Sequence, residues 1–171
     1  MESNLLMRRL RYALSLRNRD VQDIMALGGY KIDDENVRAL LQRDEAEDFV
    51  VASTEQLNGF LDGLIIHKRG KREVAEGQTP PAPILATNNN MVLRKLRIAF
   101  DLKDQDMLDL LKLDGFRLAK AELNALFRKE GHPHFRRCGD QVLRYFLGGL
   151  TKQLRPTEPS SPDSQWCPPI D

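Results

Sequence analysis

The chain is poor in several things, and each shortage removes a class of protein. Among 171 residues there are two cysteines, Cys138 and Cys167, and one tryptophan, Trp166. Two cysteines make no disulfide framework, so we expect two free thiols in a reducing, cytoplasmic setting. No apolar run approaches the roughly 18 residues that a membrane span needs. The start, MESNLLMRRL, has no basic stretch leading into an apolar one, so no signal peptide is expected. Excess charge is missing too: 26 basic and 25 acidic residues leave a net +1. No stretch alternates polar and apolar residues at period two, and no sheet is expected.

What the chain does have is repetition. LLMRRLRYAL at residues 5–14 reappears as MVLRKLRIAF at 91–100. A shift of 86 positions lays Asn4–His67 over Asn90–Gln153 without a gap, with about 18 identities among the 64 pairs, where average residue usage gives roughly four. The pairs include Arg8/Arg94, Arg11/Arg97, Asp20/Asp106, Asp23/Asp109, Gly29/Gly115, Phe60/Phe146 and Gly63/Gly149. We expect an all-α protein of two tandem, duplicated four-helix units packed together, about eight helices in all. The first unit spans 1–68 and the second 88–155, with a linker over 69–87 and a disordered tail over 156–171.

Helical periodicity supports each unit. Leu6, Leu10, Ala13 and Leu14 share one face, and Val21, Ile24, Met25 and Leu27 line a second helix. Gly29 and Gly115 supply left-handed stops after the second helix of each unit, and Tyr30 or Phe116 folds back over the last turn. Asp33 or Asp34 caps a third helix reaching Arg43, with Val37, Leu40 and Leu41 inward. Leu118 and Ala119 stand at that position in the second unit, so its third helix should start less crisply. A fourth helix opens at Ser53 or Thr54, matched by Gly139 and Asp140. Glycine inside a helix costs about 1 kcal/mol against alanine, and Gly63 and Gly149 recur there. A close helix crossing is the expected reason. The linker RGKREVAEGQTPPAPILAT carries adjacent prolines and no helical stripe. Thr87 and the asparagines 88–90 are read as candidate caps for the helix that follows. The tail PTEPSSPDSQWCPPID is rich in proline and serine.

NNNMVLRKLRIAFDLKDQD, RRCGDQVLRYFLGGL and LDGLIIHKRGK resemble the YehS-like family of bacterial cytosolic proteins, a domain of unknown function present in tandem. The resemblance covers residue 4 to about 153. It implies a small bacterial protein of two related domains and carries no activity, cofactor or site residue with it. A weaker likeness is to a helix-turn-helix: LRIAFDL, DQDMLDLLKL, a glycine turn, then AELNALFRK. In that reading Leu123, Leu126 and Phe127 face the core while Asn124 and Arg128 face outward. The start of that helix, Ala119 to Glu122, carries little base-reading chemistry.

Charge is where the copies part. Asn4–Glu73 holds twelve basic and twelve acidic residues, whereas Asn90–Arg155 holds fourteen against eight. The excess gathers at Arg128, Lys129, Arg136, Arg137, Arg144, Lys152 and Arg155. Guanidinium groups pair with phosphate oxygens, so the first six are candidate contacts to a polyanion, RNA or DNA. A solvated face with internal pairs is the alternative. Arg8, Arg11, Arg94 and Arg97 are expected to form structural ion pairs with Asp20, Asp23, Asp106 and Asp109 on the next helix of each unit, with an anion-contacting strip as the alternative. His132, His134 and Cys138 in HPHFRRC are the one metal-like group, and a tetrahedral zinc site would still lack a fourth ligand. Cys138 near a helix start has a dipole to lower its pKa, yet no motif places a base beside it. We expect no catalytic residue, no metal and no cofactor. The expected function is a non-enzymatic cytosolic binding protein that contacts RNA or DNA through its basic second repeat. The alternative is a protein–protein adaptor. No membrane role is expected.

Overall fold

A computed structural model describes residues 1–82 and 84–156. The expected tail beyond Pro156, with Trp166 and Cys167, lies outside the described residues. Eight helices and no strand occur among those described: α1 Ser3–Ala13, α2 Asn18–Leu27, α3 Asp34–Leu41, α4 Thr54–Arg69, α5 Asn89–Ala99, α6 Asp104–Leu113, α7 Lys120–Phe127 and α8 Asp140–Leu154. Helices α5 to α8 repeat α1 to α4 in order and nearly in length. The all-α, duplicated architecture is the one the repeat implied.

Local chemistry sets the helix limits. Asp33 caps α3 by accepting the Asn36 amide at 2.8 Å. Ser53 and Gln56 form a reciprocal capping box on α4, at 3.1 and 2.8 Å. In the second unit Ala119 has no side chain to cap α7, and only Glu122 reaches back to the Ala119 amide, at 2.9 Å. Two helices end earlier than expected: α1 stops at Ala13, short of Leu14, and α3 stops at Leu41 rather than Arg43. After α1 the chain turns through Ser15 at φ 54°, and after α5 through Asp101 at φ 51°. These are the two non-glycine residues with positive φ among those described. Each closes a Schellman stop, with the Leu16 amide on Arg11 O and the Leu102 amide on Arg97 O. Helical periodicity ran through these stops because Leu14, Leu16, Phe100 and Leu102 still pack on the core.

The apolar faces meet in one continuous core that runs through both units. It is centred on Phe60 and Phe146 and walled by Leu6, Leu10, Leu64, Leu93, Leu96 and Leu150. Within each unit the second and fourth helices pack most closely, α2 on α4 and α6 on α8. Across the units α4 packs on α5, and α8 packs on α1. Those two contacts are equivalent under the duplication, so the units are joined with pseudo-two-fold symmetry.

Glycine makes the close packing feasible. A Cβ built on Gly63 would lie 1.7 Å from the Ile24 carbonyl oxygen, and one on Gly149 would lie 1.9 Å from that of Leu110. The obstacle is backbone in both cases, so it cannot rotate away. This is the expected crossing. Gly28 and Gly59 extend it in the first unit only, where a Cβ on Gly28 would meet Gly59 O at 1.8 Å. The second unit has Asp114 and Tyr145 at those positions and stacks Phe116 on Tyr145 instead, with ring centroids 4.9 Å apart.

Polar groups pin the frame at equivalent points. Buried Asn4 donates to Leu40 O and Val50 O and accepts the Ala52 amide, at 2.9, 2.8 and 2.8 Å. Buried Asn90 does the same with Leu126 O, Arg136 O and the Cys138 amide, at 2.9, 2.8 and 2.9 Å. Only Asn88 of the asparagine run caps α5, accepting the Met91 amide at 3.0 Å. Asn90 is therefore a buried staple rather than a cap, and its repeat at Asn4 was the signal for that role. At the seam, buried Lys95 on α5 bonds Asn58 Oδ1 at 2.8 Å and Asp62 Oδ1 at 2.6 Å, both on α4. Asn58 Oδ1 also accepts the Ala86 amide at 2.8 Å, tying down the end of the segment that joins the units.

Two stability outcomes follow. Gly63→Ala and Gly149→Ala should each lower unfolding free energy by about 2–3 kcal/mol, since overpacking against backbone offers little relief; urea denaturation checks this. Asp62→Ala leaves the Lys95 ammonium buried beside a single neutral acceptor. With Asp62 one-third exposed, the expected loss is about 1–3 kcal/mol, and Lys95→Met in the same chain should recover part of it.

Candidate polyanion-binding surface

The surface is built on the segment between α7 and α8, and its shape is fixed by Asn90. That staple holds Arg136 and Cys138, while the Arg136 amide donates to Ala125 O at 3.0 Å. The first unit holds its corresponding segment through Asn4 in the same way, with the Val50 amide on Ala39 O. On this shared frame the side chains reverse charge. Residues 42–52 carry one basic and four acidic residues, whereas residues 128–138 carry four basic and one acidic. Val50 and Val51 occupy the places of Arg136 and Arg137.

Of the six candidate contacts, four lie in this segment. Arg128, Lys129 and Arg137 are exposed and make no ion pair among the described residues. Arg136 is exposed as well but bonds Glu122 at 2.8 Å. Arg144 stands exposed on α8 about one turn after its start, and its backbone carbonyl accepts from Arg9 of the first unit at 3.4 Å. Lys152 departs from the group. It bonds Asp114 at 2.8 Å and lies eight residues beyond Arg144, roughly 12 Å along the helix. Sequence could not separate Lys152 from the others, because Asp114 caps the end of α6 and their pairing is purely tertiary.

The start of α8 is closed to an incoming anion. Asp140 accepts from the amino-terminal ammonium of Met1 and from Asn89, the latter at 2.7 Å. The ammonium, then Asn89, hold its carboxyl below the ordinary range. His132 and His134 are exposed, with the His134 amide donating to His132 Nδ1 at 3.0 Å. No group of three or more metal-ligating residues comes together among the described residues. Cys138 is buried behind this segment, 3% exposed. Its expected dipole-lowered pKa is overturned: burial first, then Asp140, push the thiol up to about 11.

The expected arginine–aspartate network is also arranged differently. Arg8 pairs with Asp44 at 3.0 Å and with the Gln42 carbonyl. Arg94 donates to Phe127 O. Arg97 bonds Asp104 at 2.7 Å and Leu102 O at 3.1 Å, and lies over the Phe127 ring. Asp20 instead pairs with Arg17 at 3.0 Å, which lowers its pKa. Asp106 accepts the Lys103 amide at 2.7 Å, Asp109 accepts from Gln105 at 2.9 Å, and Asp23 lines a depression beside Arg19 and Lys31. These acids were claimed by the first turn and solvent face of their own helices. Arg8 and Arg94 reach the ends of the third helices instead, whereas Arg97 pairs with the first residue of the next helix. Arg11 lies on the same helix as Arg8 and is half-buried.

Fold and surface together define a tandem, all-helical protein whose two copies share a frame and differ in charge. The chain belongs to a family described as "Protein of unknown function (DUF1456)", whose pattern matches twice, over residues 3–70 and 89–155. It is 44% identical over 150 residues to "Uncharacterized protein YehS" of Escherichia coli (strain K12), covering 88% of this chain and 94% of that protein. No solved structure matches it. No helix among the described residues is long and apolar enough to cross a membrane.

The buried thiol gives a direct check. In a Cys167→Ser variant, alkylation of Cys138 by iodoacetamide at pH 8 should be slower by about a hundredfold or more in the native protein than in urea. Equal rates would show an accessible, activated thiol.

Proposed function

We propose that this is a non-enzymatic cytosolic binding protein whose second unit contacts a polyanion, RNA or DNA. The observation that carries the reading is the charge reversal between residues 42–52 and 128–138 on one preserved frame. A core or seam requirement would have kept the two segments alike. Their divergence instead leaves Arg128, Lys129 and Arg137 exposed without carboxylate partners among the described residues. Arg144 extends the surface onto α8. Arg136 joins it by exchanging Glu122 for phosphate, an exposed pair of little net strength. Lys152 makes a peripheral contribution from the far end of α8. Such a surface reads backbone charge rather than base sequence.

A protein partner is the second reading. Val51 and Val50 are 74% and 47% exposed in the acidic segment of the first unit, and an apolar pair framed by carboxylates suits a basic, partly apolar protein surface.

Fluorescence anisotropy with a labelled single-stranded RNA and a double-stranded DNA, titrated across salt, separates the readings. Affinity should fall steeply as salt rises. Replacing Arg128, Lys129 and Arg137 together by glutamine should weaken binding and reduce the salt slope by about two to three. No binding at low salt, or a flat slope, removes the polyanion reading.

A further inference from the structure

A second cationic feature lies at the seam and shares no residue with the surface above. Arg69 ends α4, Arg94 and Arg97 lie on α5, and Phe127 ends α7. Together they line a depression of about 460 Å³, with Ile98, Leu102 and the Phe127 ring as apolar lining and Asp101 at the edge. The arginines arrive there because each holds a carbonyl at a helix end or in the turn after one. Arg69 donates to Ile98 O at 3.2 Å, Arg94 to Phe127 O, and Arg97 to Leu102 O at 3.1 Å. A guanidinium offers about five N–H donors. These bonds, with the ion pairs Arg69–Asp101 at 2.8 Å and Arg97–Asp104 at 2.7 Å, leave most of them unused among the described residues.

The arrangement occurs twice. The 86-residue shift lays Arg69 over Arg155, Arg94 over Arg8 and Arg97 over Arg11. Arg155 donates to Tyr12 O at 3.1 Å, as Arg69 does to Ile98 O. The positive-φ residues Ser15 and Asp101 also correspond. Each arginine trio thus draws one member from the unit opposite. Around them the surroundings diverge. Asp44 neutralises Arg8, whereas no carboxylate bonds Arg94 among the described residues. Leu41 gives way to Phe127, which supplies an aromatic wall. By contrast, the larger depression of about 570 Å³ between α2 and α3 sets Arg19 and Lys31 against Asp23 and Asp34 and has no charge preference.

From this geometry we infer that the seam depression binds a phosphate monoester. Its oxyanion lies between Arg69 and Arg94, and its organic part rests on Ile98, Leu102 and Phe127. Asp101 is the built-in competitor. Its side chain is 83% exposed, so its pair with Arg69 adds little stability and yields readily to a dianion that engages two guanidinium groups.

Isothermal titration of the full chain with phenyl phosphate and with inorganic phosphate at low salt tests this. Phenyl phosphate should saturate one site and bind more tightly than inorganic phosphate, by about tenfold. Arg94→Gln should weaken it by about tenfold or more. Asp101→Asn, a residue suited to positive φ, should strengthen it by about threefold or more, and it removes only the exposed pair with Arg69, so it serves should Arg94→Gln fail to fold. No saturable binding to the wild type and to Asp101→Asn overturns the inference. So does affinity unchanged in Asp101→Asn, or equal for the two phosphates. Glutamine at 128, 129 and 137 should leave phenyl phosphate binding unchanged, so this site and the polyanion surface stand or fall separately.

Discussion

Everything described here depends on the reciprocal packing of α4 on α5 and α8 on α1. Each unit presents its first and last helices to the other, and the apolar residues on those helices form one uninterrupted core. A bundle of about 65 residues is near the size at which a single core is only marginally sufficient. Sharing the core removes that limit. The polar groups at the seam follow the same logic without strict symmetry. Lys95, Asn58 and Asp62 close one side, while the equivalent positions on the other side are Arg9, Arg144 and Gly148. There Arg9 meets the Arg144 carbonyl, and burial draws its guanidinium below its ordinary pKa, opposed by Asp114.

With the frame set this way, the identities between copies sort by task. Gly63 and Gly149 allow backbone to touch backbone. Asn4 and Asn90 staple the end of the third helix to the segment before the fourth. Arg8 and Arg94 hold the carbonyls that end the third helices. These residues specify position, and positions that they fix are free to vary in chemistry. Residues 42–52 and 128–138 carry the largest variation, from acidic and valine-bearing to basic. Duplication supplied two copies of a rigid scaffold; divergence on one of them supplied a charged face.

Much of this was legible beforehand, and the parts that were not share a cause. The repeat, the helical class, the glycine crossing and the Gly29 and Gly115 stops are local or periodic features that one sequence displays. The partners of Arg8 and Arg94 were not, because they lie about 33 to 36 residues away at or just beyond helix ends, while nearer aspartates offered a simpler guess. Arg97 does reach the next helix, but at Asp104 rather than at Asp106 or Asp109. Lys152 looked equivalent to Arg144 until α6 brought Asp114 to it. Cys138 looked like a helix-start thiol until the Asn90 staple drew it inward. The arginine trios were hidden for a different reason. Arg69 and Arg155 sit at the margins of the repeat, and each completes the trio of the unit it does not belong to.

The shared core is tested most directly by separating the units. Residues 1–70 and 85–156, made as two polypeptides, should each show low helicity and no cooperative thermal transition by circular dichroism, and mixing them should restore both. Two halves that each melt cooperatively with full helical signal, unchanged on mixing, would contradict it.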